Sequence, residues 1–216
     1  MIYDHTSKEY QVRLNRSNVN RFNGAYYYSK EIVENIIPRV KTDRNWVTIN
    51  AKGHAWDHSI VFIHNNVYPA LYDWLEAYED LVLVCGVPST CEKVKHLGKA
   101  IYLPLSIDVE YVSQFRTEKT KQRAFVGRSE KREGYSFLAG TDFLEAMPRE
   151  ELLREMAKYR EVYGVGRCAL EALCLGCKLL PYDSRFSDTK VWQVVDNSEA
   201  ANMLQLLLDQ IDGGTE

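Results

Sequence analysis

Between positions 163 and 183 the chain reads YGVGRCALEALCLGCKLLPYD, and these residue types suit an anion site. Gly164 and Gly166 flank Val165, so the backbone there can bend tightly or let a ligand come close. Ala169, Leu170, Leu173 and Cys174 then recur at helical spacing with Ala172 beside them, which predicts a helix over 167–175. The first N–H groups of a helix have no partner within it, and the macrodipole adds partial positive charge. Arg167 in the first turn opposes that dipole, but it suits a phosphate, which a guanidinium grips with two parallel hydrogen bonds. Glu171 lies four residues on and shares its face, so a plain surface Arg–Glu pair explains the same two residues.

Gly176 stands where a helix-closing glycine belongs, and 177–180 reads as a short buried strand closed by Pro181 and Asp183. The pattern GxGRxxLEAxxxGCxxL resembles the donor-binding segment of GT-B glycosyltransferases, the retaining group-4-like enzymes that use nucleotide-sugars. The resemblance implies that Gly164, Val165 and Gly166 form the diphosphate turn and that Arg167 stands beside it. It further implies that Glu171 holds the ribose and that Gly176 ends the helix. Members often carry a further glutamate just before the turn; Tyr163 occupies that place here.

The other elements must position this stretch. Apolar runs at 59–64 and 80–84 read as fully buried strands, with further strands expected at 46–51, 100–105 and 124–127. Helices are expected at 25–37, 69–78, 88–97, 148–159 and 199–211, with a short strand at 135–140. Strand and helix signals thus alternate, which argues for an α/β fold with parallel sheets. The resemblance sharpens this to two small Rossmann-like lobes facing a cleft, in a compact version of the GT-B fold. Residues 116–123, RTEKTKQR, hold four basic side chains and no apolar one, and read as a linker. The expected organisation is an acceptor-side domain over 1–115, the linker over 116–123 and a donor domain over 124–216.

In the family the second domain opens with a strand and then a GR…KG loop that contacts the donor phosphates. Arg128 matches that arginine, and Lys131 and Arg132 lie near the place of the lysine, although a solvated basic loop has the same composition. Asn23 and Gly24 match the glycine loop that faces the acceptor, and a simple Asn-Gly turn explains them equally well. His64 ends a buried strand, where ligands of open α/β sheets bind, and is the first candidate for a base. Asn65 follows it, and His54, Asp57 and His58 compete for the acceptor side from the preceding loop.

Composition limits the alternatives. The net charge of −3 gives no general pull toward nucleic acid. No apolar run approaches the ~20 residues that span a bilayer, and the first residues lack the apolar core of a signal peptide, so a cytoplasmic protein is expected. The pair Cys174 and Cys177 has no second CxxC or HxxxH to complete a zinc site, so the five cysteines read as reduced thiols and no metal is expected. The resulting expectation is a glycosyltransferase that moves a sugar from a nucleoside-diphosphate sugar to an unidentified acceptor, with no metal or other cofactor. A non-catalytic nucleotide- or sugar-binding module and a nucleotide-sugar epimerase are the alternatives.

Overall fold

The structure is a computed structural model and describes residues 2–3, 24–48, 56–63, 73–127, 138–145 and 147–213. Its strands are β1 (Ile2–Tyr3), β2 (Asn45–Thr48), β3 (Ser59–Ile63), β4 (Val82–Cys85), β5 (Lys99–Tyr102), β6 (Lys121–Val126), β7 (Asp142–Leu144), β8 (Tyr159–Tyr163) and β9 (Lys178–Leu180). Its α-helices are α1 (Gly24–Glu31), α2 (Pro88–Val94), α3 (Val109–Ser113), α4 (Arg149–Met156), α5 (Arg167–Cys174) and α6 (Asn197–Asp212). Every strand pairing is parallel, so the chain is α/β as its alternation predicts. Among the described residues no helix is long and apolar enough to cross a membrane.

Tertiary contacts divide the chain into two units. The first holds Ala25–Leu105 and takes in α6 from much later in the sequence. Its sheet has the order β1-β2-β3-β4-β5. β3 and β4 are buried along their whole length, which is why each is an unbroken apolar run. One face, made by Val47, Val61, Ile63, Leu83 and Cys85, packs on Leu75 from the 3-10 turn Asp73–Ala77 and on Val94 of α2. Ile60, Phe62, Val82 and Val84 alternate with these and are equally buried, and Trp46 stacks on Phe62 at 5.9 Å. α1 continues into a π-turn over Ile32–Ile36, and Pro38 sits in the closing 3-10 turn Ile37–Arg39. That segment packs against α6.

The second unit includes Ser106–Asp196, with the sheet order β7-β6-β8-β9. Its extent corrects two expectations. The basic stretch 116–123 is no linker between domains but lies wholly within this unit. Arg116 donates to Cys174 O, Lys119 to Ala157 O and Leu175 O, and Arg123 to Glu161, while Lys121–Arg123 already form the start of β6. Cationic side chains here bond carbonyls and the carboxylates of Glu155 and Glu161 within the unit, although Arg116 and Lys121 stay exposed. The last helix, expected in the donor domain, belongs to the first unit, where its apolar face is buried through Ala200, Ala201, Leu204 and Leu208. The strand expected at 135–140 falls partly outside the described residues; positions 138–140 form a turn and the strand comes later, as β7.

One guanidinium gathers the chain segments at the amino ends of the first sheet. Arg44, 4% exposed, precedes β2 and donates to Asp212 at the end of α6 (2.6 Å) and to Asp80 O ahead of β4 (2.9 Å). A carboxylate at a helix C-terminus opposes the dipole, so Asp212 depends on this cation. Arg44→Ala is expected to lower the unfolding free energy by about 2–3 kcal/mol, below the ~3–5 kcal/mol of a fully buried pair because both carboxylates are half exposed. Urea denaturation followed by circular dichroism measures it, and an unchanged midpoint would remove Arg44 as the tie.

Candidate functional site

The second sheet has a point where its winding reverses. From β6 the chain steps outward to β7, then crosses back over β6 to β8 and on to β9. Ligands of open α/β sheets bind beyond the carboxyl ends of the strands at such a reversal. The loops leaving β6 and β8 border it, and the register pairs Phe125 with Tyr163 at the ends of those strands. Gly127 and the Gly164–Gly166 turn are therefore the next residues along. The steps from β7 to β8 and from β8 to β9 run in the same direction. Right-handed crossovers then put α4 and α5 on one face, both starting at the carboxyl edge.

Each of these helices starts with an arginine, and both arginines meet one carboxylate. Arg167 Nε lies 2.8 Å from Glu171 Oε1 and Arg149 Nη1 lies 3.0 Å from the same oxygen. Arg167 is 6% exposed and Glu171 3%, so the Arg–Glu pair that could have been a surface pair is a buried one. The Arg149 guanidinium also lies over the ring of Tyr111 on α3, 5.8 Å from its centre. Two guanidiniums thus meet one buried carboxylate at the N-termini of two helices. Sequence reading missed Arg149. The signal was present, since an arginine at the first position of α4 runs against the helix dipole just as Arg167 does.

The turn itself separates its two glycines. Gly166 has φ 62° and ψ −135°, a conformation reserved for glycine, and its carbonyl accepts from Ala169 N (3.0 Å), starting α5. A β-carbon on Gly164 would meet Ala169 N and Cys168 at 3.6 Å, an ordinary contact. Val165 lies between them, half buried. Gly176, with φ 78°, follows α5, and the bonds Gly176 N to Leu173 O and Cys177 N to Ala172 O close the helix. Tyr163, at the place of the family's earlier glutamate, is a core side chain with Phe125 and Leu138, and Arg123 lies over its ring. Cys174 and Cys177 donate to different carbonyls, those of Val109 and Met156, and burial pushes both thiols up.

Candidates expected on the acceptor side fare differently. His54, His64, Asn65 and Asn23 lie outside the described residues, as do Arg128, Lys131 and Arg132 of the second unit. Gly24 opens α1. Asp57 and His58 are corrected: they precede β3 and so stand at the amino edge of a parallel sheet, opposite the edge where ligands bind. Asp57 Oδ1 accepts from Glu79 N at 2.7 Å. His58 Nδ1 lies 2.6 Å from Asp80 and Nε2 lies 3.2 Å from Asp43. His58 and Asp80 both have positive φ, 55° and 51°, and hold each other where the chain turns into β3 and β4. The bonds from Asp80 and then Asp43 raise the imidazole pKa above 6.5. The bond from His58 lowers Asp43, while burial works against Asp80, yet its bonds to His58 and Arg44 prevail and lower it.

Among the described residues Asp73, Glu76 and His96 also bring ligand atoms within 4.8 Å of one another, all three exposed. Their grouping was not visible in sequence, because His96 lies beyond an intervening strand and helix. No protein-family model matches the sequence, and no curated protein is detectably similar to it.

Two outcomes follow from this geometry. Gly166→Ala is expected to cost about 1–3 kcal/mol of stability through backbone strain alone, since nothing would touch the added carbon, while Gly164→Ala costs clearly less. Chemical denaturation of both variants checks the order. For His58 the folded pKa is raised, so its stabilisation is complete below 6.5 and fades as pH rises through the folded value. Asp43 and Asp80 are lowered, so theirs fades as pH falls through the carboxylate range. Melting temperature should therefore decline above pH 6.5, and His58→Asn, which tolerates positive φ, should flatten that decline.

Proposed function

We propose that the chain is a GT-B-like glycosyltransferase that takes a sugar from a nucleoside-diphosphate sugar. The observation that carries the reading is the meeting, at the reversal of the second sheet, of the Gly164–Gly166 turn with Arg149, Arg167 and Glu171. Breaking the bond between the anomeric carbon and the diphosphate leaves about two negative charges on the leaving group. Preorganised N–H groups at the start of α5 and guanidinium groups are the means a protein has to hold them. The acceptor hydroxyl bonds to the same carbon and gives up its proton to a base, for which His64 is the candidate. Glu171 supplies acceptor oxygens for the ribose, and Arg128, Lys131 and Arg132 supply further cations in the loop after β6.

Tyr163 favours a second reading. With a buried phenol where the family often has an acid, the same site would bind a nucleotide or nucleotide-sugar without transferring the sugar. Calorimetry against a panel of UDP-, GDP- and ADP-sugars, followed by product analysis with and without candidate acceptors, separates the readings. Transfer requires binding and an acceptor-dependent product. Release of a changed sugar from donor alone marks an epimerase, and binding without product marks the module. Glu171→Gln should weaken binding by about tenfold or more, the worth of a hydrogen bond to a charged group. Absence of binding by every member of the panel rejects the site.

A further inference from the structure

We propose that Asp73, Glu76 and His96 form a surface site for a divalent metal ion, zinc above all. The site lies within the first unit and does not depend on the nucleotide reading. Asp73 and Glu76 sit in the 3-10 turn Asp73–Ala77, and His96 follows the end of α2. Each brings one ligand atom, and these atoms lie within 4.8 Å of one another.

The fold explains why they meet. A 3-10 turn repeats every three residues, so side chains at i and i+3 stand directly above one another. Asp73 and Glu76 are such a pair. Leu75 between them is fully buried and shares a core cluster with Val94 and Leu97, which stand on either side of His96 in sequence. Bonds from Lys95 N to Cys91 O and from Leu97 N to Val94 O fix the backbone turn that carries the imidazole. The two segments belong to the crossovers from β3 to β4 and from β4 to β5. Those crossovers run the same way across the sheet, so right-handed connections put both on one face.

Charge supplies the second half of the argument. Two carboxylates held side by side repel each other. Among the described residues, none of the three side chains is hydrogen-bonded or ion-paired to another group. One divalent ion offsets both acids at once and takes the imidazole as a neutral ligand. A set of one imidazole and two carboxylates suits zinc better than magnesium or calcium, which favour oxygen alone. Zinc holds nitrogen and oxygen at about 2.0–2.2 Å, so its tetrahedral ligands stand about 3.4 Å apart. Exposed side chains reach that spacing by rotation, and the fourth position is left to water. The bound ion ties two crossover segments together over the core they cover, so it acts on the stability of the first unit.

The test is calorimetric titration with zinc chloride of the whole chain, freed of metal by a chelator, beside His96→Asn and Glu76→Gln. All three side chains are exposed, so these substitutions leave the core intact. The unaltered protein should bind one zinc ion per chain, and magnesium at the same concentration should not displace it. Loss of a group that only orients a metal ligand costs about 10–100-fold in affinity, so loss of a ligand should weaken zinc binding by about tenfold or more. Zinc should also raise the melting temperature of the unaltered protein, and both variants should lose that rise. Absence of zinc binding overturns the site. Equal affinity in the unaltered protein and both variants overturns it too, since the ion would then sit elsewhere, for instance on the free thiols. Neither result bears on whether a nucleotide binds.

Discussion

The second unit is organised around a carboxylate that water cannot easily reach. Glu171 is 3% exposed, and charge at such burial is tolerated only beside opposite charge. Its two guanidiniums come from the first residues of α4 and α5, so one oxygen fixes the spacing of two helix starts. The aromatic ring of Tyr111 brings α3 into the same cluster. Three elements thus converge at the edge where the sheet reverses its winding.

The first unit uses the same kind of interaction at the opposite edge of its sheet. Arg44, buried, ties segments that enter β2 and β4 to the end of α6, and His58 holds two neighbouring carboxylates beside it. These groups stabilise turns and leave the carboxyl edge to the segments after β3 and β4. A histidine is therefore not interchangeable with its neighbours in sequence. His58 precedes β3, and the five buried residues of that strand separate it from the edge where ligands of open α/β sheets bind.

Legibility followed the range of the interactions. β3 and β4 were readable because burial on both faces writes an uninterrupted apolar run, and α5 because its apolar stripe and closing Gly176 lie within a dozen residues. The glycine turn before α5, with Gly166 at positive φ, was readable for the same reason. β8 was not: in YREVY only Tyr159, Val162 and Tyr163 are buried, a spacing that also continues the helix before it. Nor was the place of 116–123, whose basic residues find their carbonyls and Glu161 about 38 to 58 positions away. The part of Arg149 in the site depends on the order of strands across the sheet, which no local pattern encodes.

The chain leaves the first unit after Leu105 and rejoins it at Asn197. Just inside these points Ile107 and Asp196 form a parallel bridge, with Ile107 N donating to Val195 O and Asp196 accepting from Val109 N. The long segment Ser106–Asp196 of the second unit thus begins and ends at one clasp. On the ribosome this imposes a schedule. The nascent first sheet has its strands early but lacks the helix that packs on Ile32–Arg39 and the Asp212 carboxylate that Arg44 bonds. Both arrive only after the whole intervening unit has been translated, so the half that is made first is the half that finishes last.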